Sequence, residues 1–156
     1  MQKIRPFRLF AVRDFLILSI AVSLWIYLTD GVMSQVVTAV LTGLSALLFH
    51  EWGHLLGAYL CGAVVHRAPS LFSPFLFDLD SQQNTRAQFL MTSSTGFIAT
   101  SLFLFFFVLF LPLDTLAGRL TLYIGLGLAS LTILIEFPIA WLVYRKQKIP
   151  KVEIYR

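Results

Sequence analysis

The sequence predicts an all-α polytopic membrane protein, a single domain over residues 1–156 with four transmembrane helices, and three observations predict it. First, 58% of the residues are hydrophobic and only 13% are charged, roughly half the charged share of a soluble globular domain. A water-soluble fold of this size could not hide so much apolar surface. Second, the apolar residues gather into four long segments and do not alternate with polar ones. Barrel strands are thereby excluded, and helices remain as the way to satisfy the backbone in lipid. Third, the net charge of +4 comes mostly from the two ends: Lys3, Arg5, Arg8 and Arg13 before the first segment, and Arg145, Lys146, Lys148, Lys151 and Arg156 after the last. That is a topology signal and a contact for anionic headgroups. It implies no basic stripe on a soluble surface, so the lipid bilayer is an expected partner and nucleic acid is not.

The expected helices are 12–29, 33–65, 88–111 and 120–144. The first is basic on its N-terminal side, as a signal peptide would be, but no small-x-small cleavage site follows it. It is read as a retained anchor. The second is far longer than the roughly 20 residues needed to cross. Asp30 lies in the tight turn between them and Asp114 in the short loop 112–119. The one long polar connection, 66–87, holds a run at 71–77 too short to span, which fits a short hairpin at the interface. Trp25, Tyr27 and Tyr144 are expected as interfacial anchors, and the phenylalanine-rich run 103–110 as lipid-facing bulk. By the positive-inside rule both termini and the long loop are cytoplasmic, in a multi-pass protein of a plasma membrane, with Asp30 and Asp114 outside.

Within the second segment the sequence reads His50-Glu51-Trp52-Gly53-His54, a His-Glu-x-x-His pattern. Residues four apart on a helix differ by about 40° in azimuth and one turn in height, so both imidazoles can reach one metal ion. Glu51 beside them can take a proton from a metal-activated water and return it to a leaving amine. Two histidines and a glutamate are costly in lipid unless they find partners, and a metal supplies them. Zinc wants a third protein ligand and an open position. The fourth segment offers one acid, Glu136. Counting at 1.5 Å per residue puts Glu136 about 14 Å from the cytoplasmic end of its helix and His54 about 20 Å from the same face. Pro138 frees a carbonyl near residue 134 there. The rival ligands are Asp78, Asp80 and His66 in the loop. Gly53 and Gly57 form a small-xxx-small pair suited to helix packing, and Cys61 is expected as a small buried hydrophobe. The first and third segments offer only hydroxyl groups inside, such as Ser19, Ser23, Ser93 and Thr100.

With His50, Glu51, His54 and Glu136 in this order, Thr95-Gly96-Phe97 in the intervening helix and a Pro-bearing loop at 68–79, the chain resembles the site-2 protease family of intramembrane zinc metalloproteases. That family carries its third ligand two helices after the paired histidines. Its usual third ligand is the aspartate of an Asn-Pro-Asp-Gly signature, where this chain reads Leu134-Ile135-Glu136-Phe137-Pro138. The resemblance implies a Zn²⁺ cofactor on His50, His54 and Glu136, with Glu51 as general base. It also implies a membrane-protein substrate whose helix unwinds locally. The other classes open to the sequence are an inactive membrane adaptor or chaperone and a metal-handling membrane protein.

Overall fold

The computed structural model describes residues 7–27 and 30–146. It contains four helical spans long and apolar enough to cross a membrane. These are α1 (Arg8–Ile26), α2 (Val32–Leu60), α3 (Arg86–Phe110) and a composite fourth span made of α4 (Leu116–Leu131), a π turn (Thr132–Glu136) and α5 (Phe137–Lys146). The protein is thus an all-α polytopic, multi-pass membrane protein. Its strands among the described residues form one antiparallel hairpin, β1 (Val65–Arg67) with β2 (Phe77–Leu79), in the register Val65↔Leu79, His66↔Asp78 and Arg67↔Phe77. Thr29 and the expected topology charges Lys3, Arg5, Lys148, Lys151 and Arg156 lie outside the described residues.

The helix ends differ from the hydropathy pattern for local reasons. Helix α2 was expected to run to 65 but stops at Leu60, because Gly62 adopts φ +64°. The amide of Ala63 then donates to Ala58 O (2.8 Å) and that of Gly62 to Tyr59 O (3.2 Å), the paired bonds of a Schellman cap. Residue 65 falls in β1 instead. Helix α3 starts two residues before 88 because Thr85 and Gln88 form a capping box. Helix α4 starts at Leu116, ahead of the apolar stretch, because Thr115 Oγ1 accepts from the Gly118 amide at 3.0 Å.

Most of the buried positions are small or polar, with exceptions such as Phe10, Leu76 and Phe107, while many large apolar side chains face outward. Ala39, Ala46, Ala58, Ala117, Thr38 and Thr121 are buried, whereas Phe15, Phe105, Phe110 and Leu134 are exposed. Lipid tails are as apolar as leucine, so membrane helices associate through close backbone approach at small residues. Helix α2 is the hub, packing most extensively on α3, then α4, then α1. Trp25, expected as an interfacial anchor, donates its indole N–H to Thr42 Oγ1 on α2 (2.9 Å). Phe107 departs from its lipid-facing neighbours and is buried.

The hairpin does not lie flat across the helix ends. Its lobe, residues 68–76, folds back along α2, so that Ala68 and Leu76 pack with Phe10 of α1 and with Trp52 and Leu55 of α2. Trp52 precedes the end of α2 by about 12 Å at 1.5 Å per residue. The stem is fastened by Asp80, an acid of the polar loop that is buried. Its carboxylate accepts from His66 Nε2 (2.9 Å) and from the amides of Gln82 (2.9 Å) and Gln83 (3.0 Å). The His66 bond, then the turn amides, lowers the Asp80 carboxyl to about 2. An acid held below its ordinary value, about 3.9, contributes stability that is complete above that value and is lost as pH falls through about 2. Melting temperature should therefore fall between pH 4 and 2 in the wild type. In Asp80→Asn that part of the fall should be absent.

Candidate metal centre

Helix α2 brings His50 and His54 onto one face, and the fourth span brings Glu136 to meet them. His50 Nε2 lies 3.0 Å from Glu136 Oε1, His54 Nε2 lies 3.3 Å from Glu136 Oε2, and the two Nε2 atoms are 2.9 Å apart. The three residues form a group able to hold a metal ion, with one donor atom from each and all donors within 4.8 Å of one another. The sequence-derived ligand set is therefore assembled. Of the rivals, Asp80 and His66 are spent on each other and Asp78 sits opposite His66 in the hairpin register. None of the three belongs to the group.

The far side of each ring fixes the chemistry of the near side. His50 Nδ1 is 3.1 Å from Gly96 O and 2.7 Å from Thr100 Oγ1, and His54 Nδ1 is 2.9 Å from Thr92 O. A carbonyl can only accept, so both Nδ1 atoms carry a proton; in neutral rings both Nε2 atoms then present lone pairs, which also face the Glu136 carboxylate at 3.0 and 3.3 Å. Two such lone pairs facing each other at 2.9 Å repel unless a cation or an extra proton lies between them. Glu136 Oε2 is also buried without a hydrogen bond. Imidazoles oriented by carbonyls on the outer nitrogen are the usual second shell of a metal site. By this geometry the three residues could hold a metal ion.

The close approach of α3 is what puts those carbonyls within reach. A Cβ at Gly53 would stand 2.6 Å from Ala99 Cβ and 2.8 Å from Thr95 O, and one at Gly57 would strike Thr95 Oγ1 and Met91 O. The helix-packing expectation for this glycine pair is met. Gly96 on α3 answers them: a Cβ there would run into the His54 ring. Gly96→Ala is expected to push the ring off Thr92 O or α3 off α2. Overpacking of that kind costs about 1–3 kcal/mol, and displacing a second-shell bond costs roughly 10–100-fold in metal affinity. Thermal melting and metal titration of the variant check both.

The fourth span carries Glu136 at the end of the π turn, with the Phe137 amide donating to Thr132 O, five residues back. Pro138 has no N–H to return to the carbonyl of Leu134. The disruption expected from Pro138 is taken up as one wide turn, a form common at functional positions. Glu51 stands apart from the ligand group. It is 6% exposed and its Oε2 accepts from the Leu76 amide at 3.3 Å, beneath the hairpin lobe. Cys61 is a free, half-buried thiol whose Sγ lies 3.6 Å from Ala58 O.

The hydroxyl-only expectation for α1 fails. Asp14 is 8% exposed, and its carboxylate bonds Arg13 Nε (2.6 Å) and Trp52 Nε1 (2.8 Å). Ser19 and Ser23 turn back onto their own helix, to Phe15 O and Ser19 O. An acid directly after Arg13, at the edge of an apolar segment, was the available signal for this network. No protein-family profile, curated protein or solved structure matches the chain.

Proposed function

We propose that this chain is an intramembrane zinc metalloprotease of the site-2 protease type, hydrolysing peptide bonds in membrane-embedded substrates. One observation carries the proposal: two oriented imidazole lone pairs and a carboxylate converge at a single point, in a His-Glu-x-x-His helix that also supplies a separate buried acid, Glu51. The donor set of two histidines and a carboxylate suits catalytic zinc with an open position, and it suits ferrous iron as well. The glutamate adjacent to the first ligand favours zinc hydrolysis, because oxygen chemistry at iron has no need of a base there.

When bound, zinc supplies Lewis acidity toward a water and toward the scissile carbonyl. His50 and His54 would hold it through Nε2 and Glu136 through its carboxylate. The carbonyls of Gly96 and Thr92 keep the two rings from turning. Glu51 takes the proton of the attacking water as the C–O bond forms, then passes it to the amine as the C–N bond breaks. A transmembrane substrate hides its carbonyls in its own helix, so a segment that unwinds locally is the form that reaches these groups. With the long loop and both termini cytoplasmic, as the charge distribution indicates, cleavage falls toward the cytoplasmic half of the bilayer.

The test uses the full chain in vesicles with a reporter whose transmembrane helix contains a Gly-Pro break. Cleavage should stop on chelation and return with zinc. Restoration by ferrous iron alone would replace the hydrolase with an iron enzyme. Bound zinc without cleavage would favour the adaptor, and a protein that takes up no metal would end the proposal.

A further inference from the structure

We propose that Arg13 is the latch of a flap: it holds the 68–76 lobe down over Glu51, and the lobe must lift for anything to reach the base. That a peptide is what enters rests on the protease function proposed above; the latch itself does not.

The lobe covers the acid closely. Leu76 is 0% exposed, and Glu51 lies under it with the Leu76 amide on its carboxylate. The Leu76 amide occupies Glu51 Oε2, so that oxygen is released only when Leu76 moves away. The lobe is also a unit with a closed neck, since the Ala68 amide donates to Leu76 O at 3.0 Å. Below the neck the β1–β2 pairing and the Asp80 bonds to His66, Gln82 and Gln83 fix the stem. A rigid stem beneath a compact lobe gives a hinge without unfolding.

Beside the apolar seat of Ala68 and Leu76, what holds the lobe tip to the helices is small and specific. Arg13 Nη1 donates to the carbonyls of Leu71 and Ser73, the latter at 2.7 Å. The guanidinium lies over the Phe10 ring, 4.9 Å from its centroid, and Phe10 is part of the apolar cluster that receives Ala68 and Leu76. Asp14 pairs with Arg13 Nε and accepts a hydrogen bond from the indole N–H of Trp52, the residue next to Glu51. One Arg-Asp pair on α1 therefore ties the lobe tip to α1 and α1 to the metal helix. Arg13 Nη2 is buried without a partner, so the closed contact is incompletely satisfied, as suits a contact that opens. The outer side of the tip presents Phe72, 98% exposed, and adds nothing to the closed state.

The experiment measures lifting of the lobe directly, on the purified full chain. In a Cys61→Ala background, Ala68→Cys places a thiol where the native side chain is 1% exposed, so a small maleimide reaches it only when the lobe rises. Adding Arg13→Ala should speed that labelling about tenfold or more, the effect of losing charge-assisted hydrogen bonds. Asp14→Asn, which keeps an acceptor for Trp52 but removes the partner charge of Arg13, should speed it less. Ala129→Cys, buried in α4 away from the lobe, serves as the reference and should label at an unchanged rate. An unchanged rate at Ala68→Cys, or equal acceleration at both positions in both variants, would overturn the latch: Arg13 would then hold nothing, or hold the whole fold. Absence of metal or cleavage in the wild type would sink the protease function while leaving the labelling result intact.

Discussion

Glu51→Gln is expected to lower proteolysis by about 10²–10⁴-fold, the usual contribution of a general acid–base, while leaving the bound metal in place. The amide is close to isosteric and still offers an oxygen to the Leu76 amide, which Glu51 Oε2 accepts at 3.3 Å. It cannot take up a proton at neutral pH. Glu51 is not one of the three converging ligand residues, so metal content should match the wild type. Metal analysis beside a cleavage assay separates this outcome from a ligand role. Parallel loss of metal and activity would make Glu51 a ligand and leave the chain without its base.

His54→Ala and Glu136→Gln should do the reverse and lose the metal. Removing His54 takes away one of two oriented Nε2 donors together with the bond that holds its ring to the Thr92 carbonyl. Glu136→Gln removes the only carboxylate in the ligand group. Each should weaken binding by more than the roughly 10–100-fold typical of a second-shell change. Competition with a chelator of known affinity reads the difference. The fold should survive Glu136→Gln, because Glu136 lies on the more open flank of the cluster, with its side chain 32% exposed against 7% for His50.

Hydrophobic segments and one motif were enough to read the four spans and the three residues that converge on one point. Length and apolarity dominate insertion, and an ionisable group inside such a segment is rare enough to be conspicuous. Glu136 was legible for that reason, as the one acid of its span, and Pro138 pointed to the disrupted turn beside it. The helix ends were less legible, since hydropathy does not register caps: Thr85 with Gln88, Thr115 with Gly118 and the positive φ of Gly62 set them. The cover over Glu51 was hidden for a different reason. Asp14 and Trp52 are 38 residues apart, and Glu51 and Leu76 are 25 apart. Such pairs leave no periodic trace in a single sequence. Arg13 was legible as one of the charges flanking the first apolar segment, a reading that says nothing of the two carbonyls it holds.

The hairpin links these observations to function. A polar connection between two spans could have remained at the surface, where its backbone would be satisfied by water. Instead Ala68 and Leu76 are drawn against Phe10 and Trp52, and two tip carbonyls are satisfied by Arg13. Backbone that lies against membrane helices must have such partners, and α1 supplies them. Helix α1 thereby contributes to the site without donating a ligand.

The central claim is that His50, His54 and Glu136 together hold a catalytic metal, and X-ray absorption at the metal edge of the purified full chain tests it most directly. About one zinc per chain, with nitrogen and oxygen scatterers at roughly 2.0–2.2 Å, the distances of imidazole and carboxylate ligands, is the predicted result. No stoichiometric metal, or a shell containing sulfur at about 2.3 Å, would contradict it.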